Sequence, residues 1–234
     1  MFPLTLYKKL LSHYGPQLWW PVTEKKALKP TYKKRPKLSQ NQKLEICLGA
    51  ILTQNTDWKN VIKAFENLNK AKMLSSPKIA KTSLPKLARL IRPSGYYNQK
   101  AKKVKLFCQH LEKNYNGKLD KMLSKPLPKL REELLSLYGI GNETADDILL
   151  YAAQKPSFVV DAYTTRFVER FFTPKEFGYV EVKSFFESQL PKDTELFSEF
   201  HALLVEHGKR FCKKKPECGE CFLKASCLHS NKCQ

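Results

Sequence analysis

The chain has 234 residues, 42 of them Lys or Arg against 22 Asp or Glu, which gives a formal charge of +20 and a pI near 9.6. A composition of 42% hydrophobic and 12% aromatic residues can bury a core and excludes a disordered chain. The longest uncharged apolar run, residues 46–52, falls far short of the roughly 20 residues of a membrane-spanning helix.

The first residues lack the apolar core of a signal peptide, so the expected compartment is the cytoplasm. Trp19-Trp20-Pro21 is the first aromatic cluster. Residues 22–43 carry eight basic side chains against Glu24 alone, and their Lys/Pro-rich part, 24–37, reads as a solvated basic loop. From residue 44 the apolar spacing is helical rather than alternating, first at Leu44, Cys47, Leu48 and Ile51, then at Val61, Ile62, Phe65 and Leu68. Pro and Gly punctuate the chain at 77, 85, 93, 95, 117, 126, 128, 139, 141 and 156, which cuts it into roughly ten short helices. Strand signals are almost absent, and the fold class is all-α. Positive charge of this size points to a polyanion, with nucleic acid the leading candidate.

Three motifs could carry chemistry. Leu137, Tyr138, Gly139, Ile140 and Gly141 form a Gly-x-Gly turn ahead of a helix expected over residues 142–153. Without side chains at Gly139 and Gly141 a phosphate can reach backbone N–H groups near a positive helix end. Farther on, Phe158-Val159-Val160 leads to Asp161, where another helix should begin; Asp161 suits an N-cap, and a helix N-terminus keeps its carboxylate ionised. Last, Cys212, Cys218, Cys221 and Cys227 are spaced C-x5-C-x2-C-x5-C. Four such thiolates can hold an iron–sulfur cluster or a structural zinc, and spacing alone does not choose. Cys233 is a spare thiol nearby; Cys47 and Cys108 lie on apolar helical faces and read as buried. His201 and His207, on a helical run before the cysteines, have no nucleophile partner in the sequence and read as structural.

Together, the hairpin 137–145, Val159-Val160-Asp161 and the four cysteines resemble the helix–hairpin–helix DNA glycosylases of the endonuclease III type. The resemblance implies a two-domain helical fold. Residues 1–43 would be an N-terminal helix and basic loop packing with the C-terminal domain. Residues 44–155 would be a helical barrel bearing the hairpin, and 156–234 would carry the Asp161 helix and the cluster domain. It implies a [4Fe–4S] cluster on Cys212, Cys218, Cys221 and Cys227, although the first gap holds five residues where the family has six. It implies that Asp161 is catalytic, facing the cleft between the domains, and that Gly139, Ile140 and Gly141 bind a DNA phosphate.

Glu143 occupies the position where bifunctional members carry the lysine that attacks C1′ of the sugar. A carboxylate cannot form a Schiff base, so a monofunctional glycosylase with water as nucleophile is expected. Trp19-Trp20-Pro21, the segment 52–56 and the segment 92–101 are similar to the 3-methyladenine glycosylase branch. There Trp19, Trp20 and Pro21 would line the base pocket, where a cationic alkylated purine gains about 0.5–2 kcal/mol from cation–π attraction, and Gln54 would insert into the duplex. From the residues alone, core tryptophan is an equal reading. The implied partner is double-stranded DNA with damaged bases, bound by a monomer at the nucleoid. The alternatives are a glycosylase/lyase for oxidised pyrimidines, a non-catalytic DNA binder, and a zinc module.

Overall fold

A computed structural model describes residues 1–34, 37–173 and 175–230. Cys233 and Arg35 of the basic stretch lie outside the described residues. The chain divides into two compact units. One is Met1–Trp19 together with the part that begins at Pro156, and the other is Trp20–Lys155. Among the described residues, no helix is long and apolar enough to cross a membrane.

In the Trp20–Lys155 unit, β1 (Val22–Thr23) pairs antiparallel with β2 (Pro30–Thr31), Val22 opposite Thr31. Helices follow: α2 (Gln40–Thr53), α3 (Trp58–Lys70), α4 (Ser76–Lys81), α5 (Leu84–Leu90), α6 (Tyr97–Tyr115), α7 (Leu119–Leu123), α8 (Leu127–Ser136) and α9 (Asn142–Asp147). The two-residue strands depart from the loop expected within 24–37. A buried Glu45 on α2 fixes the first of them, accepting from Thr23 N at 2.9 Å and Thr23 Oγ1 at 2.6 Å. With hydrogen-bond donors at hand the buried carboxylate is solvated by the protein, and β1 is pinned to α2.

Local signals explain where α2 starts. Ser39 and Gln42 form a reciprocal capping box, Ser39 N donating to Gln42 Oε1 at 3.0 Å and Gln42 N to Ser39 Oγ at 3.3 Å. At the other end, α9 does not run on as a regular α-helix to 153. Residues Ile148–Ala152 widen into a π-turn, closed by Ala153 N donating to Ile148 O at 2.9 Å.

The second unit holds α1 (Pro3–Tyr14), α10 (Ala162–Phe171), α11 (Tyr179–Glu187) and α12 (Thr194–Arg210), with α12 packed on both α1 and α10. Its core is aromatic: Phe158 stacks on Phe186 at 4.3 Å and meets Phe197 edge-on at 5.3 Å. Gly208 on α12 allows close approach to α10, because a Cβ there would lie 2.5 Å from Tyr163 Cδ1.

The angle between α8 and α9 is held by charge. Arg131 Nε donates to Asp146 Oδ1 at 3.0 Å and Nη2 to Oδ2 at 3.2 Å, while Nη2 also reaches Asn142 Oδ1 at 2.9 Å. Asp146 is fully buried. Arg131→Ala would leave that carboxylate without its cation, and equilibrium denaturation should show a loss of about 3 kcal/mol; a loss within ~0.5 kcal/mol, typical of ordinary surface positions, would contradict the brace.

Candidate active site and cysteine cavity

The hairpin between α8 and α9 has the shape its glycines require. Gly139 adopts φ +80°, in the left-handed region, and the room a Cβ would need is filled by the alkyl chain of Lys103, 2.5 Å from Cδ. Ile140 is buried and anchors the turn. At Gly141, the N-cap, nothing lies within 4 Å of a would-be Cβ, so the backbone is open to an incoming group. Glu143 is exposed in the first turn of α9, a favourable place for a carboxylate. Tyr138 is 54% exposed and lies under the Lys102 ammonium, 4.7 Å from its ring centroid.

Gln54 is joined to this hairpin. Its Nε2 donates to Gly139 O at 3.0 Å and Thr144 Oγ1 at 2.9 Å, and its Oε1 accepts from Lys103 Nζ at 2.6 Å. Three residues away on α6, the buried Lys100 Nζ donates to Leu52 O at 2.9 Å and Ser94 O at 2.6 Å. Burial, helped by the nearby Lys103 charge, pushes the Lys100 amine down to about 8. Two lysines one helical turn apart thus fasten the end of α2 and the residue after it. Neither Lys100 nor Lys103 was a candidate on sequence grounds, since each is one of many lysines.

The tryptophans fall in different settings. Trp19 is partly exposed and its carbonyl accepts from Ser198 Oγ on α12 at 3.1 Å. Glu199, also on α12, accepts from the backbone N–H groups of Gln17 and Leu18 and so holds the turn ahead of Trp19; burial raises its carboxyl above the ordinary range. Trp20 is 7% exposed, packed against Gly49, edge-on to Trp58 at 5.2 Å and against Tyr151 of the π-turn at 5.2 Å. Pro21 is buried.

Asp161 is the N-cap of α10, its Oδ1 accepting from Thr164 N at 2.7 Å. Oδ2 lies 3.7 Å from His201 Nε2 on α12. Burial pushes the Asp161 carboxyl up, but His201 and the Thr164 N–H outweigh it and hold the group below the usual carboxylate range. In the sequence His201 reads as structural, because no local signal pairs residues forty apart.

At its far end α10 grips the cysteine segment. Arg166 Nε donates to Cys212 O at 2.8 Å, Arg170 Nη1 to Lys213 O at 2.6 Å and Nη2 to Lys214 O at 3.0 Å, while His229 N donates back to Arg170 O at 3.0 Å. Arg170 Nη1 also lies 3.5 Å from Cys212 Sγ. Cys47, Cys108, Cys212, Cys218, Cys221 and Cys227 are thiols rather than disulfides. Cys212, Cys218, Cys221 and Cys227 line one hollow that is partly open to solvent, with Phe167, Phe171, His207 and Phe211 in its wall. Among the described residues no three His, Cys, Asp or Glu side chains are gathered as ligands of a single metal ion.

The family model for the HhH-GPD superfamily of base excision DNA repair proteins matches residues 48–192. A Methanocaldococcus jannaschii protein, provisionally named a DNA repair glycosylase, is 45% identical over 95% of this chain and 94% of its own length. The structure of H. pylori 3-methyladenine DNA glycosylase bound to 1,N6-ethenoadenine is 31% identical with a TM-score of 0.71, covering 90% of this chain and 98% of that one. Endonuclease III in a trapped covalent complex with DNA shares the fold at 22% identity, with a TM-score of 0.76 over 99% of this chain and 98% of that one.

The Asp161 environment is directly testable. In His201→Gln the Asp161 carboxyl should titrate at higher pH than in the parent, followed by carboxyl carbon NMR, and an unchanged midpoint would contradict the pairing. Because the folded-state value is depressed, the stabilisation from Asp161 is present above the unfolded value near ~4 and is lost as pH falls through the folded one.

Proposed function

The chain belongs to the HhH-GPD superfamily of base excision DNA repair proteins and is a DNA repair glycosylase of that family, and from that premise we propose that it hydrolyses the N-glycosidic bond of alkylated purines such as 3-methyladenine without cleaving the strand. The observation that carries the monofunctional part is Glu143: the first turn after the hairpin presents a carboxylate where strand-cleaving relatives present an amine. The lesion class rests on the 31% identity to a 3-methyladenine DNA glycosylase and on the tryptophan–proline segment.

In this reading double-stranded DNA containing a damaged base is the partner. Its phosphates are met by the open backbone at Gly139, Ile140 and Gly141 and by surface lysines. The damaged nucleotide rotates out of the stack. The cationic base is held by Trp19, Trp20 and Pro21, with the stacking face falling to Trp19, which keeps exposed surface while the other two are buried. Gln54 exchanges its bonds to Gly139, Thr144 and Lys103 for the edge of the orphaned base. Asp161, kept ionised by His201 and Thr164, stabilises positive charge developing on the sugar and orients water toward C1′. An alkylated purine carries its own positive charge and departs neutral, so little acid catalysis is needed. The products are a free base and an abasic site.

A [4Fe–4S] cluster on Cys212, Cys218, Cys221 and Cys227 completes the proposal. The fit is one of shape and donor type. Four thiolates are the donor set such a cluster takes, and the four cysteines line one hollow. Cys212, Cys218, Cys221 and Cys227 would hold the cluster, which would cross-link the segment that Arg166 and Arg170 hold against α10.

Mass spectrometry of bases released from methylated DNA should find 3-methyladenine, and Asp161→Asn should lower its release at least ~100-fold while DNA binding persists. Release undiminished in the mutant would remove Asp161 from the mechanism, and no release of any alkylated purine by the parent would refute the substrate assignment.

A further inference from the structure

The cysteine hollow has a polar connection that structural packing does not require. His207, on α12, is 2% exposed, and both of its ring nitrogens are engaged. Nδ1 lies 2.9 Å from the Tyr14 hydroxyl on α1, and Nε2 lies 3.6 Å from Cys221 Sγ. The imidazole is held in place by rings on several sides, Phe167 at 5.5 Å, Phe211 at 5.6 Å and Phe222 at 5.7 Å between centroids. An apolar side chain of similar size would fill this space equally well, so packing alone does not call for a ring with two polar nitrogens.

We propose that Tyr14 and His207 form a hydrogen-bond relay that fixes the His207 tautomer and aims an N–H at Cys221, raising the reduction potential of the metal centre that Cys221 ligates. This rests on the cluster reading above. A metal-bound thiolate carries no proton and only accepts, so the hydrogen in the His207–Cys221 contact belongs to Nε2. In the neutral ring Nδ1 is then bare, and the Tyr14 hydroxyl is the donor that satisfies it. An N–H directed at a ligand sulfur disperses negative charge and favours the more reduced state of a cluster. His207 is therefore a positioning and tuning residue. It touches neither DNA nor the sugar in this account, and its effect is on the potential rather than on excision itself.

The test is film voltammetry on the full-length, cluster-loaded protein, with iron and sulfide content measured alongside. His207→Phe keeps an aromatic ring but removes the donor, and its potential should shift negative of the parent. Tyr14→Phe leaves the imidazole but frees its tautomer, and should shift in the same direction by less. His207→Gln restores an N–H near the Nε2 position and should return the potential toward the parent value. Should His207→Phe fail to load, Tyr14→Phe against the parent decides the question. Loaded variants with the parent's potential would overturn the relay and leave the cluster standing. A parent protein that holds zinc or no iron would overturn the cluster and the relay together.

Discussion

Helix α10 is the constraint on which the rest of its unit depends. Its first residue is preceded by Asp161, whose carboxylate closes the helix N-terminus through Thr164 N, and its last turns hold the cysteine segment through Arg166 and Arg170. A helix of ten residues spans about 15 Å, so the carboxylate and the cysteine hollow sit at opposite ends of one rigid rod. Three charge-assisted bonds from guanidinium groups to backbone carbonyls of residues 212–214 leave the rod little freedom to turn. Anything that orders the cysteine segment therefore orders the helix whose N-terminus Asp161 caps.

The other unit repeats this logic with different chemistry. Its hairpin is fixed by the half-buried Arg131 paired with the buried Asp146 and by the Gln54 amide. In the proposed function, Gln54 would serve a duplex only by giving up its bonds to the hairpin. Lys103 stands at the meeting point, since its alkyl chain occupies the space a side chain at 139 would need and its ammonium holds Gln54. In the proposed function, a phosphate arriving at the hairpin would compete for that ammonium and so would couple DNA contact to release of the Gln54 amide.

What could be read from the sequence was whatever is written locally. Helical periodicity at Leu44, Cys47, Leu48 and Ile51 foretold α2, and the Gly-x-Gly pattern foretold a turn followed by a helix, because each needs only neighbouring residues. Asp161 as an N-cap followed from its place after an apolar run. The β1–β2 pair was not legible, since β1 is held by Glu45, 22 residues from Thr23. Nor was the π-turn at Ile148–Ala152, whose sequence reads as plain helix. The contacts of His201 with Asp161, Tyr14 with His207, and Lys103 with Gln54 join residues separated by between 40 and 193 positions. No spacing rule records such contacts; they exist only once the core has closed around Phe158, Phe186 and Phe200 or around α6.

Hydrolysis without a protein-bound sugar is read most directly with sodium borohydride. Incubated with alkylated DNA, the parent protein should release free base, leave an intact abasic strand, and yield no borohydride-stable protein–DNA adduct. A trapped adduct accompanying strand cleavage would show an amine attacking C1′ and contradict the role assigned to water.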